Sequence, residues 1–263
     1  MTKILLTGKN GQVGQELELL LTQVGEVIAL GKEELDLSNE EQIRNSIHHH
    51  QPDLIVNAGA YTAVDKAESE ESLAYAVNGN APTILAESAE QIGARLLHIS
   101  TDYVFDGTKH KPYTETDQPN PISVYGKSKL AGEQGIQKHS RNYIILRTAW
   151  VYGAYGSGNF VKTMLRLGKE REELKVVSDQ VGTPTWSNDI AKAIVGLVMR
   201  LPASPVQEIY HFTNSGVASW YDFSIAIFEE AKVLHFPLKV HRVSPISTRD
   251  YPTPAQRPAY SVL

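Results

Sequence analysis

Three glycines at a three-residue spacing constrain this chain more than any other feature of it: Gly8-Lys9-Asn10-Gly11-Gln12-Val13-Gly14. The run follows a short apolar stretch, Ile4 to Thr7, and leads into Val13, Leu17, Leu20 and Leu21, which recur at helical spacing. A strand, a glycine turn and a helix in that order open a dinucleotide-binding βαβ unit. Residues without a Cβ let the backbone turn tightly and approach a pyrophosphate, whose charge then sits against the amides and positive dipole end of the helix. The spacing departs from the usual Gly-x-Gly-x-x-Gly, because Asn10 stands where the middle glycine would be. A plain glycine turn is the alternative reading.

The alternation continues. Val27 to Leu30, Leu54 to Asn57, Leu96 to Ser100 and Tyr143 to Leu146 read as further buried strands, and Ala81 to Ile92 and Ser128 to Gln137 as helices. Ser38 and Glu41 predict a capping box that opens a helix carrying Ile43 and Ile47. The fold class predicted is α/β, a Rossmann-type doubly wound parallel sheet over residues 1–150. A smaller substrate-binding lobe, interleaved with the first, is expected over residues 151–263. There Gly153, Gly156 and Gly158 cluster, helices are read over Asp189 to Arg200 and Tyr221 to Leu234 with a strand at Glu208 to Phe212 between them, and a Pro-rich tail from Ser244 to Pro258 reads as irregular. Asp106 to Pro121 has no period and reads as a long loop of the kind that often carries function.

Composition excludes several classes. A length of 263 residues allows one large domain or one with a smaller lobe, and 41% hydrophobic residues suffice for a core. Lys and Arg number 25 against 30 Asp and Glu, a net charge of −5, which argues against nucleic acid or an anionic membrane as partner. With no cysteine there are no disulfides, thiolate nucleophiles or Cys-ligated metals. No apolar run approaches about 18 residues, and nothing near the start reads as a signal peptide, so a cytoplasmic location is expected. His48-His49-His50 reads as a cationic helix end rather than a metal site, because consecutive imidazoles point in different directions.

The second strand ends Leu30-Gly31-Lys32, without the carboxylate that commonly binds the adenosine ribose. That favours NADPH, with NADH still open. Asp36 could serve instead, or could be a solvated carboxylate. Tyr125-Gly126-Lys127-Ser128-Lys129 puts a phenol and an ammonium four residues apart on one helical face. A lysine so placed can hold the tyrosine's pKa down and bind a ribose, leaving the phenol to protonate a carbonyl oxygen. Thr101, at the carboxyl end of the fourth strand, could offer a hydroxyl to the same oxygen. Tyr103 and Trp150, at or just past strand ends, are read as core or cleft aromatics. No Gly-x-Ser-x-Gly elbow and no Walker A loop is present.

Several longer runs together resemble the dTDP-4-dehydrorhamnose reductases, which are extended short-chain dehydrogenases. They are Asn57-Ala58-Gly59-Ala60-Tyr61-Thr62-Ala63-Val64-Asp65-Lys66-Ala67-Glu68, Ser100-Thr101-Asp102-Tyr103-Val104-Phe105-Asp106-Gly107 and the block at Tyr125. Arg147-Thr148-Ala149-Trp150-Val151-Tyr152-Gly153 and Asp179-Gln180-Val181-Gly182-Thr183-Pro184-Thr185 agree as well. The resemblance implies reduction at C4 of a 6-deoxy-4-ketohexose carried on dTDP, the last step toward dTDP-L-rhamnose. It makes Tyr125 the proton donor, Lys129 the holder of the nicotinamide ribose, and Thr101 a partner of the reacting oxygen. By the same carry-over Gly11, Gln12, Val13, Asp36, Leu37, Ala60, Tyr61 and Thr62 line the cofactor, while Asp102, Tyr103 and Trp150 face the sugar.

Sugar-nucleotide dehydratases of this superfamily look for Asp-Glu after the threonine, and Asp102-Tyr103 here points to ketone reduction instead. A regulatory subunit of the methionine adenosyltransferase type, and a reductase of a related nucleotide sugar, are the alternatives. Relatives usually run on for a further helix past Ser261-Val262-Leu263, so an incomplete C-terminus is an expectation. Some relatives dimerise through metal-bridging glutamates. Glu16 corresponds to one of these, its distal partner does not appear, and the expectations are a homodimer left open and no metal.

Overall fold

The computed structural model describes all of residues 1–263. The first part of the chain runs β1 (Thr2–Thr7), α1 (Gln12–Leu20), β2 (Gly25–Leu30), α2 (Glu40–His50), β3 (Leu54–Asn57), α3 (Val64–Ala67), α4 (Glu71–Tyr75), α5 (Ala81–Ile92), β4 (Arg95–Thr101), α6 (Val124–His139) and β5 (Tyr143–Thr148). It continues through β6 (Val151–Tyr152), α7 (Phe160–Glu170), β7 (Glu173–Val177), β8 (Val181–Gly182), β9 (Thr185–Trp186) and α8 (Ser187–Arg200). The last elements are β10 (Gln207–His211), β11 (Ala218–Ser219), α9 (Trp220–Val233) and β12 (Arg242–Ile246).

Six strands form one sheet in the order β10-β5-β4-β3-β1-β2, parallel throughout. Parallel strands are covered on both faces, so their residues are apolar in unbroken runs. Ile4 and Leu6 of β1 face one way, into a core with Leu17 of α1 and Ile190 and Ile194 of α8. Leu5 faces the other way, toward Ile43 and Ile47 of α2, Leu85 of α5 and Ile136 of α6. Burying one such side chain fully contributes about 1.5–3 kcal/mol, and these two layers fix the sheet between its helices. A smaller core of Met164, Leu174, Val176, Ile227, Phe228 and Val240 joins α7 and α9 to the β7–β12 pair. No helix is long and apolar enough to cross a membrane.

The structure departs from the expected elements in four places. The cap of α2 is Asn39, whose side chain accepts from the Gln42 amide, because Ser38 is occupied by Asp36. The helix expected from Ser128 starts at Val124, capped by Ser123, which accepts from the Gly126 amide at 3.2 Å. The strand read at 208–212 as part of the smaller lobe, β10 here, lies at the edge of the main sheet beside β5. The tail read as irregular contributes β12, which pairs in parallel with β7 despite Pro245. Both of the last two elements are short segments of mixed polarity with no buried residue, and their partners lie far away in sequence.

Candidate active site

The chain passes from β1 to β2 on one side and then crosses to β3 on the other, so the order in which strands are added reverses at β1. Ligands of open α/β sheets sit at such a switch point. A cleft of about 700 Å³ opens there and is lined by the ends of the central strands. Gly8 holds a left-handed φ of 74°, and the Gly11 amide donates to its carbonyl at 2.9 Å. A Cβ at Gly14 would stand 2.0 Å from the same carbonyl oxygen. Gly14 therefore packs inside the turn, and it is the one member of the expected set that does not line the cleft. Helix α1 starts with no side-chain cap and no acidic residue in its first turn, leaving amide donors for an anion. The close turn and the uncapped helix end fit a dinucleotide pyrophosphate.

At the far side of this turn, Asp36 and Lys32 line the cleft. Asp36 Oδ1 accepts from both the amide and the hydroxyl of Ser38, at 2.8 and 2.7 Å, which keeps the carboxyl below its usual range. Opposite lie Leu37, Ala60, Tyr61 and Thr62. The Tyr61 peptide is clamped at both ends by Asn78, which accepts its N–H and donates to its carbonyl, each at 2.9 Å. Asn78 sits in a π-helical turn, Ala76–Asn80, between α4 and α5, and also donates to Ser128 on α6.

The end of β4 supplies Thr101, Asp102 and Tyr103, and the first turns of α6 supply Tyr125 and Lys129, all of them lining the same cleft. The Thr101 hydroxyl donates to Asp102 Oδ1 at 3.0 Å. Asp102 is 2% exposed, and its Oδ2 lacks a well-formed hydrogen bond. Burial pushes this carboxyl up to about 6, with the Ser261 and Thr101 hydroxyls offsetting part of the effect. The Tyr103 and Tyr125 rings meet edge to face at 5.4 Å. Trp150, at a φ of 46°, stacks on Trp220 with centroids 3.5 Å apart and planes 3° from parallel.

The sequence reading that Lys129 lowers the Tyr125 pKa is corrected by this geometry. Burial pushes the phenol up to about 12, with Thr101 opposing and Asp102 adding to the rise. Lys129 spends its contacts elsewhere: Nζ donates to the Ile99 carbonyl at 2.7 Å and lies 3.3 Å from His98 Nε2. Burial brings the lysine itself down to about 8, with the Glu133 carboxylate countering.

Several contributors to the cleft lie outside the expected set. Thr148, at the end of β5, lines it with a buried hydroxyl that has no partner. Trp220 enters from α9, and Gly156, Ser157 and Gly158 close over the glycine turn, where Asn159 donates to Gln12 Oε1 at 2.7 Å. Only the glycine cluster at 153–158 gave a local signal. Conversely, the loop over 106–121 contributes nothing to the cleft. It is fastened to itself, Asp106 accepting from Thr108, Tyr113 and Asn120.

A parallel sheet with a glycine turn at its switch point, and a Thr-Tyr-Lys set at the adjoining strand end, defines an extended short-chain dehydrogenase. More narrowly, the chain belongs to the RmlD substrate binding domain family, whose model covers residues 1–263. It is 48% identical over 267 residues to dTDP-4-dehydrorhamnose reductase of Aggregatibacter actinomycetemcomitans, covering 100% of this chain and 90% of that protein. The enzyme of that name from Burkholderia thailandensis is 46% identical over 268 residues, covering 99% and 90%. Among solved structures, dTDP-4-dehydrorhamnose reductase from Bacillus anthracis in complex with NADP superposes with a TM-score of 0.91 at 40% identity, covering 100% of this chain and 90% of that one.

Proposed function

We propose that this chain reduces the C4 ketone of dTDP-4-dehydro-6-deoxy-L-mannose to give dTDP-L-rhamnose, using NADPH. The observation that carries the reading is the gathering of Thr101, Tyr125 and Lys129 at one end of a cleft whose other end is the glycine turn. The relatives named above support the substrate, and the NADP complex of the Bacillus anthracis enzyme supports the cofactor. Lys32, two residues past the end of β2, lines the cleft and offers a cation to a ribose that carries a 2′-phosphate.

The bound cofactor supplies the hydride. Gly8 and Gly11 and the start of α1 hold its pyrophosphate, and Lys129 holds the nicotinamide ribose. Tyr125, kept protonated by burial, gives its phenolic proton to the ketone oxygen as that oxygen gains charge. Thr101 steadies the same oxygen when its hydroxyl turns from Asp102 Oδ1 to donate to it. Asp102, Tyr103 and Trp150 enclose the sugar, and the stacked indoles keep water from that end of the cleft. Asp102 is followed by tyrosine rather than by an acid, so no second carboxyl stands ready for dehydration.

The test is NADPH oxidation with 4-keto-6-deoxy sugars carried on dTDP, UDP and GDP, with the product identified by NMR. Turnover is expected with the dTDP sugar above the others, and faster with NADPH than with NADH. Absence of turnover with every sugar would overturn the reading, and a preference for another base would move the substrate assignment.

A further inference from the structure

Directly behind the cleft, four polar side chains form a buried row: Thr7, Asn57, His98 and Lys129, exposed by 1%, 0%, 0% and 2%. Thr7 and Asn57 are register partners of β1 and β3, and Asn57 and His98 are register partners of β3 and β4. The row therefore runs straight across three strands and ends on the lysine of α6.

The sense of each bond follows from one backbone amide. The Gly59 N–H, which can only donate, lies 3.2 Å from Asn57 Oδ1, and the Thr7 hydroxyl donates to the same oxygen at 2.7 Å. Those two donors identify the oxygen, so Asn57 Nδ2 is the atom that faces His98 Nδ1, at 2.9 Å. Nδ2 carries hydrogens and no lone pair to share, which makes Nδ1 the acceptor. A neutral imidazole that accepts at Nδ1 has its hydrogen on Nε2. Complete burial keeps the ring neutral by holding its pKa well below the usual range.

Nε2 lies 3.3 Å from Lys129 Nζ. An ammonium there would set donor against donor, whereas an amine would accept the Nε2 hydrogen while still donating to the Ile99 carbonyl. The other ionisable groups around the lysine do not reverse this. Glu133, one turn further along α6, is drawn away by Arg147 at 2.6 Å and by the Ser100 hydroxyl. Tyr125, one turn back, is a neutral phenol, and Asp102 at the end of β4 is engaged with Thr101.

The geometry points to His98 as a positioning residue for the reduction proposed above, on which this inference rests. Held by Asn57 in one tautomer, it presents a donor to Lys129 that disfavours the ammonium, so that the lysine gives up and regains its proton more readily than a solvated one.

Nitrogen NMR of isotope-labelled histidine and lysine in the whole chain tests this without any assay. The His98 resonances, identified by their loss in His98→Gln, are expected in the Nε2–H form from about pH 6 to 8. An Nδ1–H form or an imidazolium would overturn the proposal. The Lys129 signal is expected to titrate near neutral pH, and an ammonium that persists past about pH 10 would equally overturn it. Asn57→Asp keeps the acceptor for Gly59 and Thr7 but replaces the donor toward His98 by an oxygen, turning the ring over to Nδ1–H. In that variant the high-pH fall of kcat/KM is expected to move upward by about one pH unit or more, and an unmoved profile in a folded variant would overturn the proposal. Should the variant fail to fold, the wild-type spectra decide alone. A chain with the Nε2–H form that reduces no keto sugar would retire the reductase reading and leave the tautomer assignment standing.

Discussion

Asp102 and Tyr125 stand a few ångströms from the proposed chemistry, and burial moves both in the same direction. For Tyr125 this means a phenol that stays protonated until a developing alkoxide draws the proton away. Tyr125→Phe is expected to lower kcat by about 10²–10⁴-fold, the usual worth of a positioned acid, with NADPH affinity within about a factor of a few of wild type. Stopped-flow turnover and fluorescence titration of the cofactor would check the two halves. For Asp102 the consequence is a pH-dependent strain on the fold. Its folded pKa of about 6 lies above the unfolded carboxyl value of about 3.9, so its contribution is fully present below the unfolded value and lost as pH rises through 6. Asp102→Asn is therefore expected to gain on wild type by about 2–3 kcal/mol between pH 4 and pH 8, measured as the difference between urea unfolding curves at the two pH values.

Elements are held in register here by polar contacts between them as much as by their apolar faces. Asn78 ties the segment after β3 to α6, and Asn78→Ala would leave the Tyr61 peptide groups unpaired, costing about 1–3 kcal/mol of stability and raising the KM for cofactor several-fold. Arg147 of β5 meets Glu133 of α6 through two nitrogens, with side chains only 3% and 1% exposed. Arg147→Met strands a buried carboxylate and should cost about 3–5 kcal/mol in thermal or urea unfolding, while adding Glu133→Leu should restore most of it.

Much of this was legible beforehand and some could not be. The central strands announced themselves because both of their faces are buried, which leaves unbroken apolar runs such as Leu54 to Asn57. The start of α6 was legible only through the spacing of Tyr125 and Lys129, since Val124 to Lys127 contains a glycine and no apolar period and the cap at Ser123 has no acidic partner three residues on. The Tyr125 and Lys129 pair was visible as a motif, but its electrostatics were not. A lysine reads as solvated until three dimensions show it sealed between His98 and Ile99. Trp220 carries no local pattern and reaches the cleft only through packing, while Thr148 reaches it as the β5 register partner of Thr101, a pairing that no local run displays.

At the scale of the whole molecule, sequence order and spatial order diverge. The main sheet is completed only when β10 joins β5, after the chain has already built β6, α7 and β7 outside it. Return contacts fasten the late segments to the early ones: Arg257 grips Asp65 at 2.8 Å, and the Tyr113 amide donates to the Val262 carbonyl. The stack of Trp150 on Trp220 spans the same divide, one indole coming from the sheet edge of the cleft and the other from α9. These are two of only three tryptophans in the chain, and the third, Trp186, is 40% exposed and over it sits Lys192. The protein thus carries its own optical gauge. Two coupled indoles should give an exciton couplet in far-ultraviolet circular dichroism that vanishes in Trp220→Phe and survives in Trp186→Phe. Any ligand that prises the two apart would announce itself as a change in colour of emission, with no dye attached.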